Sequence, residues 1–366
     1  RSAGSLASGP GTMKILDRHI GRHVVVGSLM ALVVLVSIDL VFAFGSEVND
    51  IGEGNYDFGK SLLYVFLTAP RRAYDYMPMA AIVGSMVMLG GLAANSEFIA
   101  MRSAGFSIRQ IAMSMIKGGM VLVILALILG EGITPFSEPY AQQMRSFAQT
   151  QSTALKSENG IWARDGLSFV NILQLRPGGE LRRLDIYEFD ENFQLRFKTH
   201  ADRAVFEDDA WVLFNIEQTD FQQDQVKITN YPKAKWGALL NPELLSVLAV
   251  KPEQLPLWRM TTYIDYLEAN GLETEPYQFA FWQKLTAPLA ILVMLLLSVP
   301  FLFSSLRTTG AGQMTLIGIV LGIGYYLIAH VAGRVGEVYN FNPVLTSFTP
   351  IVVFSVLGFA SFRFSR

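Results

Sequence analysis

Six apolar runs constrain this chain more than any other feature. They cover Val24–Phe44, Met77–Ala94, Ile111–Gly130, Phe279–Phe303, Met314–Ala332 and Val344–Phe362, each near the roughly 20 residues that an α-helix needs to cross a bilayer. In hydrocarbon a single segment satisfies its backbone groups only as a helix, so the runs predict six membrane-spanning helices. Composition agrees: 51% apolar and 16% charged residues are wrong for two or three soluble domains in a chain of 366. A net charge of -2 and the lack of any basic block argue against nucleic acid as a partner. With no cysteine there is no disulfide, thiolate catalysis or Cys-ligated zinc.

Charge sets the expected orientation. Lys14, Arg18, His19, Arg22 and His23 precede the first run and place the N-terminus in the cytoplasm. The loop Gly45–Gly59 holds Glu47, Asp50, Glu53 and Asp57 with no Lys or Arg, as expected outside. Gly59–Leu67 reads as a separate helix lying at the outer interface and ending at Pro70-Arg71-Arg72. This basic pair breaks the charge bias. At headgroup level it can hold lipid phosphate, or Arg72 can pair with Asp75 at i,i+3. Alternation then leaves Arg307, Arg363 and Arg366 inside with both termini. Residues 1–12, rich in Gly, Ser and Ala, read as a tag ahead of a natural start at Met13.

Between the third and fourth runs lies a polar stretch on the order of 140 residues, enough for one external domain. Helical character continues to Lys156. Short alternating segments follow at Ile161–Arg164, Ser168–Ile172, Leu184–Phe189, Trp211–Phe214 and Gln225–Thr229, with breaks at Pro177-Gly178-Gly179 and Asp208-Asp209. They predict an all-β, jelly-roll-like domain whose edges invite strand addition. Glu253–Gly271 reads as a helix leading back to the membrane. The expected division is 13–133 for spans one to three, 134–275 for the β domain and 276–366 for spans four to six.

The polar interruption at 95–105 is built as a short rigid helix between two spans. Asn95 suits an N-cap, Glu97 favours the first turn, and Gly105 suits the stop at C′. Phe98 and Met101 at i,i+3 can plug an apolar groove, with Glu97 and Arg102 fixing orientation. The alternative is an interfacial helix on the lipid surface. Asp39, Lys284, His330 and Arg334 are ionisable residues within or at the ends of spans, all toward the outer leaflet. They either snorkel to headgroups or line a cavity that meets the polar part of an amphiphile. Gly318 and Gly322 permit close approach of another helix.

Catalytic signals are weak. Gly54–Ser61 matches G-x-x-x-x-G-K-[ST], but no strand precedes it and no βαβ pattern surrounds it, so a nucleotide site is not expected. The histidines His19, His23, His200 and His330 form no ligand pattern, and no G-x-S-x-G occurs.

Leu16-Asp17-Arg18-His19-Ile20-Gly21, Pro78-Met79-Ala80-Ala81, Ser96-Glu97 with Met101, Ser103-Ala104-Gly105-Phe106 and Gly160-Ile161-Trp162-Ala163-Arg164-Asp165-Gly166 occur in one order along the chain. In this the chain resembles the LptF/LptG permeases, on the LptG side of that family, from Met13 to the C-terminus. The family exports lipopolysaccharide from the Gram-negative inner membrane. The resemblance implies a non-enzymatic permease subunit paired with an LptF-like second permease on an LptB ATPase dimer. ATP and Mg bind that ATPase, and this chain needs no cofactor. The helix at 95–105 becomes the coupling helix, with Glu97, Phe98, Met101, Arg102 and Gly105 at the ATPase. Spans one and five become the cavity lining, bringing in Asp39, Phe42, Tyr325, Tyr326 and His330 by position. The β domain becomes periplasmic and joins LptC- and LptA-like domains in a bridge. Family members can place lysines near the outer end of the first span. Here Ala43, Asn49 and Asp50 stand there, so lipid-phosphate contact would fall to Arg71, Arg72 or Arg145. Two other readings remain: an ion-coupled transporter of an amphiphile using Asp39 and Lys284, and a non-transporting membrane receptor.

Overall fold

The computed structural model describes residues 10–150, 160–175, 180–190, 192–207, 210–221, 226–237, 252, 255–304, 311–339 and 341–364. The turns expected at Pro177–Gly179 and Asp208–Asp209, residues 1–9 of the tag-like stretch, and Lys156, Gln225, Glu253, Arg307 and Arg366 lie outside the described residues. The helices are α1 (Pro10–Glu47), α2 (Phe58–Ala94), α3 (Glu97–Ser103), α4 (Ile108–Leu127), α5 (Thr134–Thr150), α6 (Leu257–Ala269), α7 (Glu275–Ser304), α8 (Ala311–Val338) and α9 (Pro343–Phe364). Six rods are long and apolar enough to span a membrane: α1, α2, α4 with α5, α7, α8 and α9.

Two of them are longer than the sequence suggests. Gly59–Leu67 is no separate interfacial helix, because α2 runs unbroken through Pro70 and Pro78. A proline deletes one backbone bond, and a membrane helix tolerates that loss where neighbouring groups re-satisfy the freed carbonyl. Likewise α4 continues through the π-helical segment Ile128–Ile133 into α5.

The described chain forms two compact units. One comprises the residues up to Ser46, Val65–Glu138 and those from Glu275 onward; the other comprises Glu47–Tyr64 and Pro139–Thr274. In the first unit, lipid tails give no hydrophobic drive between helices, and close backbone approach supplies the packing instead. A Cβ on Gly27 of α1 would stand 2.4 Å from the carbonyl oxygen of Gly84 in α2, and one on Gly118 of α4 would stand 2.8 Å from Gly21 Cα. Gly318 and Gly322 of α8 admit the chain's own α2, at Met86, Val83 and Met79. Two apolar clusters result. One gathers Leu16, Ile20, Phe98, Ile111, Met115 and Leu302, the other Met86, Met294, Met314 and Phe354. Both draw on α2 and α7, which are therefore the central helices. In its most apolar stretch α2 is 72% buried, against 22% for α1 and 17% for α8. The last two therefore keep an uncovered apolar flank.

The second unit contains one antiparallel sheet in the order β1-β2-β3-β4-β5-β6. Its strands are Ile161–Asp165, Ser168–Leu175, Leu181–Phe189, Leu195–Glu207, Ala210–Phe221 and Val226–Trp236. The antiparallel all-β insert is as expected, but the sequence reading missed β4 entirely and half of β5. At one level of the sheet Arg183 and Asn215 adopt left-handed φ values of 52° and Asp202 lies between them, and none of the three makes a ladder pair. The register is the same on both sides of this level, and the only shift between β3 and β4 lies at Glu188/Phe189; what changes across the level is which residues face the core, because each strand spends one residue there in an irregular conformation. In β3 the buried positions pass from Leu181 to Leu184 and Ile186, and in β4 from Ala201 to Ala204. A search for strict alternation fails on such a strand.

Candidate functional site

The short helix α3 is held at both ends by backbone geometry. Asn95 does not cap it. The N–H groups of Asn95 and Ser96 bond back to Gly91 and Ala93, finishing α2, and Ser96 at φ 61° becomes the N-cap residue without a side-chain bond. At the far end Phe106 N–H reaches Met101 O at 3.1 Å and Gly105 N–H reaches Arg102 O at 3.0 Å, with Gly105 at φ 95°. This double closure requires a residue at ease in the left-handed region, and glycine supplies it. Ser107 and Gln110 then form a reciprocal capping box that starts α4.

Side chains divide this helix differently from the sequence expectation. Phe98 is fully buried, edge-on to Phe303 of α7 at 5.3 Å, within the cluster of Leu16, Ile20, Ile111 and Met115. Met101 packs against the same cluster. These two do not form an outward plug. A seven-residue helix has one apolar stripe to bury, and its largest ring secures it to its own chain. The outward surface is Ile99, 49% exposed, with Ala100, Arg102, Ser103 and Ala104. Sequence reasoning missed Ile99, although its i,i+3 relation to Arg102 marks a second stripe. Glu97 Oε2 lies 3.2 Å from His19 Nε2 at the base of α1.

A polar cluster joins α1, α2 and α8. Arg72 of α2 donates to Asp39 of α1, whose other oxygen accepts from the Tyr76 hydroxyl at 3.1 Å. Tyr76 stacks on Tyr326 of α8 at 5.4 Å, and Tyr326 lies 4.5 Å from the His330 ring. Of the five residues expected at a cavity, Asp39, Tyr326 and His330 thus belong to one run. Tyr325 turns to Phe354 of α9 at 5.6 Å, and Phe42 is exposed on the apolar flank of α1.

The three candidate phosphate-binding arginines all face carboxylates of the chain. The expected Arg72–Asp75 pair is replaced: Arg71 lies 3.8 Å from Asp75, one helical turn on, and 3.6 Å from Glu138, while Arg72 reaches across to Asp39. Arg145 places Nε 3.2 Å from Glu47, bonds Asp50, and lies over the Tyr64 ring at 5.1 Å. The Tyr56 hydroxyl donates to Glu47 at 2.8 Å, and burial together with that carboxylate pushes the phenol above its ordinary range. An incoming phosphate would therefore compete with acids already in place.

Lys284 does not snorkel. It is 7% exposed and its Nζ lies 2.9 Å from Glu131 Oε1 in the π-helical segment. The loop resembling a phosphate cradle is spent on its own folding. A Cβ on Gly54, at φ 57°, would stand 2.3 Å from Gln149 O; Asp57 accepts from the Lys60 N–H at 2.8 Å, and the Lys60 ammonium donates to Asn55 O. Among the described residues no three His, Asp or Glu side chains gather as metal ligands.

A family model described as the lipopolysaccharide export system permease LptF/LptG matches residues 18–364. Proteins named lipopolysaccharide export system permease protein LptG are similar over nearly the whole chain. One from Haemophilus influenzae is 30% identical over 93% of this chain and 96% of its own length. One from Escherichia coli K12 is 31% identical over 94% and 96%.

Proposed function

The chain belongs to the LptF/LptG family of lipopolysaccharide export permeases, and from that premise we propose how its parts serve export. It is a multi-pass membrane permease of an ABC-type lipopolysaccharide exporter, LptG-like rather than catalytic. In our reading it sits in the inner membrane with both termini cytoplasmic and the β unit periplasmic. An LptF-like permease covers the open flanks of α1 and α8. A separate LptB-like ATPase dimer binds ATP and Mg, and LptC- and LptA-like domains continue the route from the β unit.

The observation that carries this reading is the two-faced α3. Its inner stripe, Phe98 with Met101, is locked among the bases of α1, α4 and α7, while Ile99 and Arg102 remain outward. A push on the outer face is therefore transmitted to the spans instead of being lost in a flexible loop. Glu97 extends the grip to α1 through His19. We assign the docking surface to Ile99, Ala100, Arg102 and Ser103, with Glu97 and Gly105 fixing its angle and Phe98 and Met101 anchoring it. Lipid would occupy the space beside Asp39, Phe42, Tyr326 and His330. Its phosphates would take over Arg71, Arg72 or Arg145 from their carboxylates.

Co-purification in mild detergent tests this reading. The wild-type chain should bring down an ATPase and a second permease of similar length. Ile99→Asp should lose the ATPase and keep the permease, with an unchanged unfolding midpoint. Full recovery of the ATPase with that variant would argue against α3 as the docking element.

A further inference from the structure

The rod of α4 and α5 is interrupted by six π-helical residues, Ile128-Leu129-Gly130-Glu131-Gly132-Ile133. Such insertions are rare and gather at functional places. Three helices meet here. Gly130 is buried so closely under Tyr74 of α2 that a Cβ would stand 2.7 Å from the ring, and Glu131 bonds Lys284 of α7. About two to three turns further along, α4 and α7 pack through apolar groups, Gly119 against Leu292 and Leu295. Charge at the π-helical segment is thus not needed to join these helices. Lys284 is buried and Glu131 partly so, and an ion pair so placed adds little net stability over an apolar pair of the same shape. What it adds is sensitivity: two opposite charges attract strongly in a dry interior and weakly once water reaches them.

We infer that Glu131 and Lys284 form a positioning latch for export. Closed, with Lys284 buried and Glu131 partly shielded, the pair holds the π-helical segment against α7. Hydration of the pair during the transport cycle releases it, and the segment then exchanges its backbone hydrogen bonds. This rests on the permease reading above, but its first test does not require lipid movement.

That test uses the unmodified chain, assembled with its second permease and ATPase, and follows amide hydrogen exchange at 128–133 without nucleotide and with ATP and vanadate. Opening should accelerate exchange about tenfold or more in one of the two states. Equal exchange in both overturns the latch.

The second test is the double variant Glu131→Gln with Lys284→Met, in vesicles loaded with lipopolysaccharide. Removing both charges together leaves no unpaired charge, so the unfolding midpoint and ATP hydrolysis should persist while lipid release per ATP falls about tenfold. Release at the wild-type ratio would show that the pair only packs, and would overturn the proposal. The exchanged pair, Glu131→Lys with Lys284→Glu, should recover release, and failure to recover also counts against it. If the double variant does not assemble, the exchange measurement on the unmodified chain decides. A wild-type complex that hydrolyses ATP and releases no lipopolysaccharide would refute the export reading instead.

Discussion

Phe98, fully buried beside Phe303, and Ile99, half exposed one residue later, divide a single helix between a buried and an outward face, and if the outward face docks the ATPase as proposed their substitutions should separate accordingly. Phe98→Ala removes a ring from a closed apolar cluster and should cost roughly 3–5 kcal/mol, read as a lower unfolding midpoint in detergent. Ile99→Ala should leave that midpoint nearly unchanged and weaken ATPase association by about tenfold. A second residue, Glu188 of β3, bears on pH. Burial raises its carboxyl above the usual range, only partly opposed by Arg196. The folded chain thus binds this proton more tightly than the unfolded chain. The group's contribution to stability is full below the ordinary value of 4.5 and is lost as pH rises through the raised value. Glu188→Gln should therefore raise the β unit's unfolding midpoint at pH 7 and leave it unchanged near pH 4, as followed by the sheet's circular dichroism.

Among elements, the crossing of α1 and α2 is the most demanding contact. A Cβ at Gly84 would stand 2.2 Å from the backbone of Gly27, where no flexible side chain can give way. Gly84→Val should force the helices apart and destabilise the membrane unit by at least about 1–3 kcal/mol, with loss of monodisperse protein on extraction. Gly45→Ala, with nothing within 4 Å, is the matched control and should behave as wild type. The β strands show the opposite economy. At the level of Arg183, Asp202 and Asn215 neighbouring strands skip one pair together and keep their register, so the buried positions change phase in step across the sheet.

At the scale of the molecule, the open flanks of α1 and α8 matter most. Val33, Val41 and Phe42 on one, and Leu316, Val320 and Val331 on the other, are exposed side chains on spans that the rest of the chain leaves uncovered. Expressed alone in mild detergent, the chain should form mixed larger species by light scattering; co-expression with an LptF-like permease should give one size. Much of this architecture could be read directly. Six apolar runs must be helices because hydrocarbon offers their backbone no other partner, and the polar insert between the third and fourth had to lie outside the hydrocarbon. Gly105 as a helix stop was equally plain, since the turn needs a residue free of Cβ. Position in three dimensions was not. Whether Phe98 points out or in, whether Arg72 takes Asp75 or Asp39, and whether Lys284 reaches headgroups or Glu131 depend on which helices cross and at what level. Those crossings are set by backbone contacts between residues far apart in the chain, such as Gly27 with Gly84. Local periodicity carries hydrophobicity along one helix, but it holds no record of the neighbour that will lie against it.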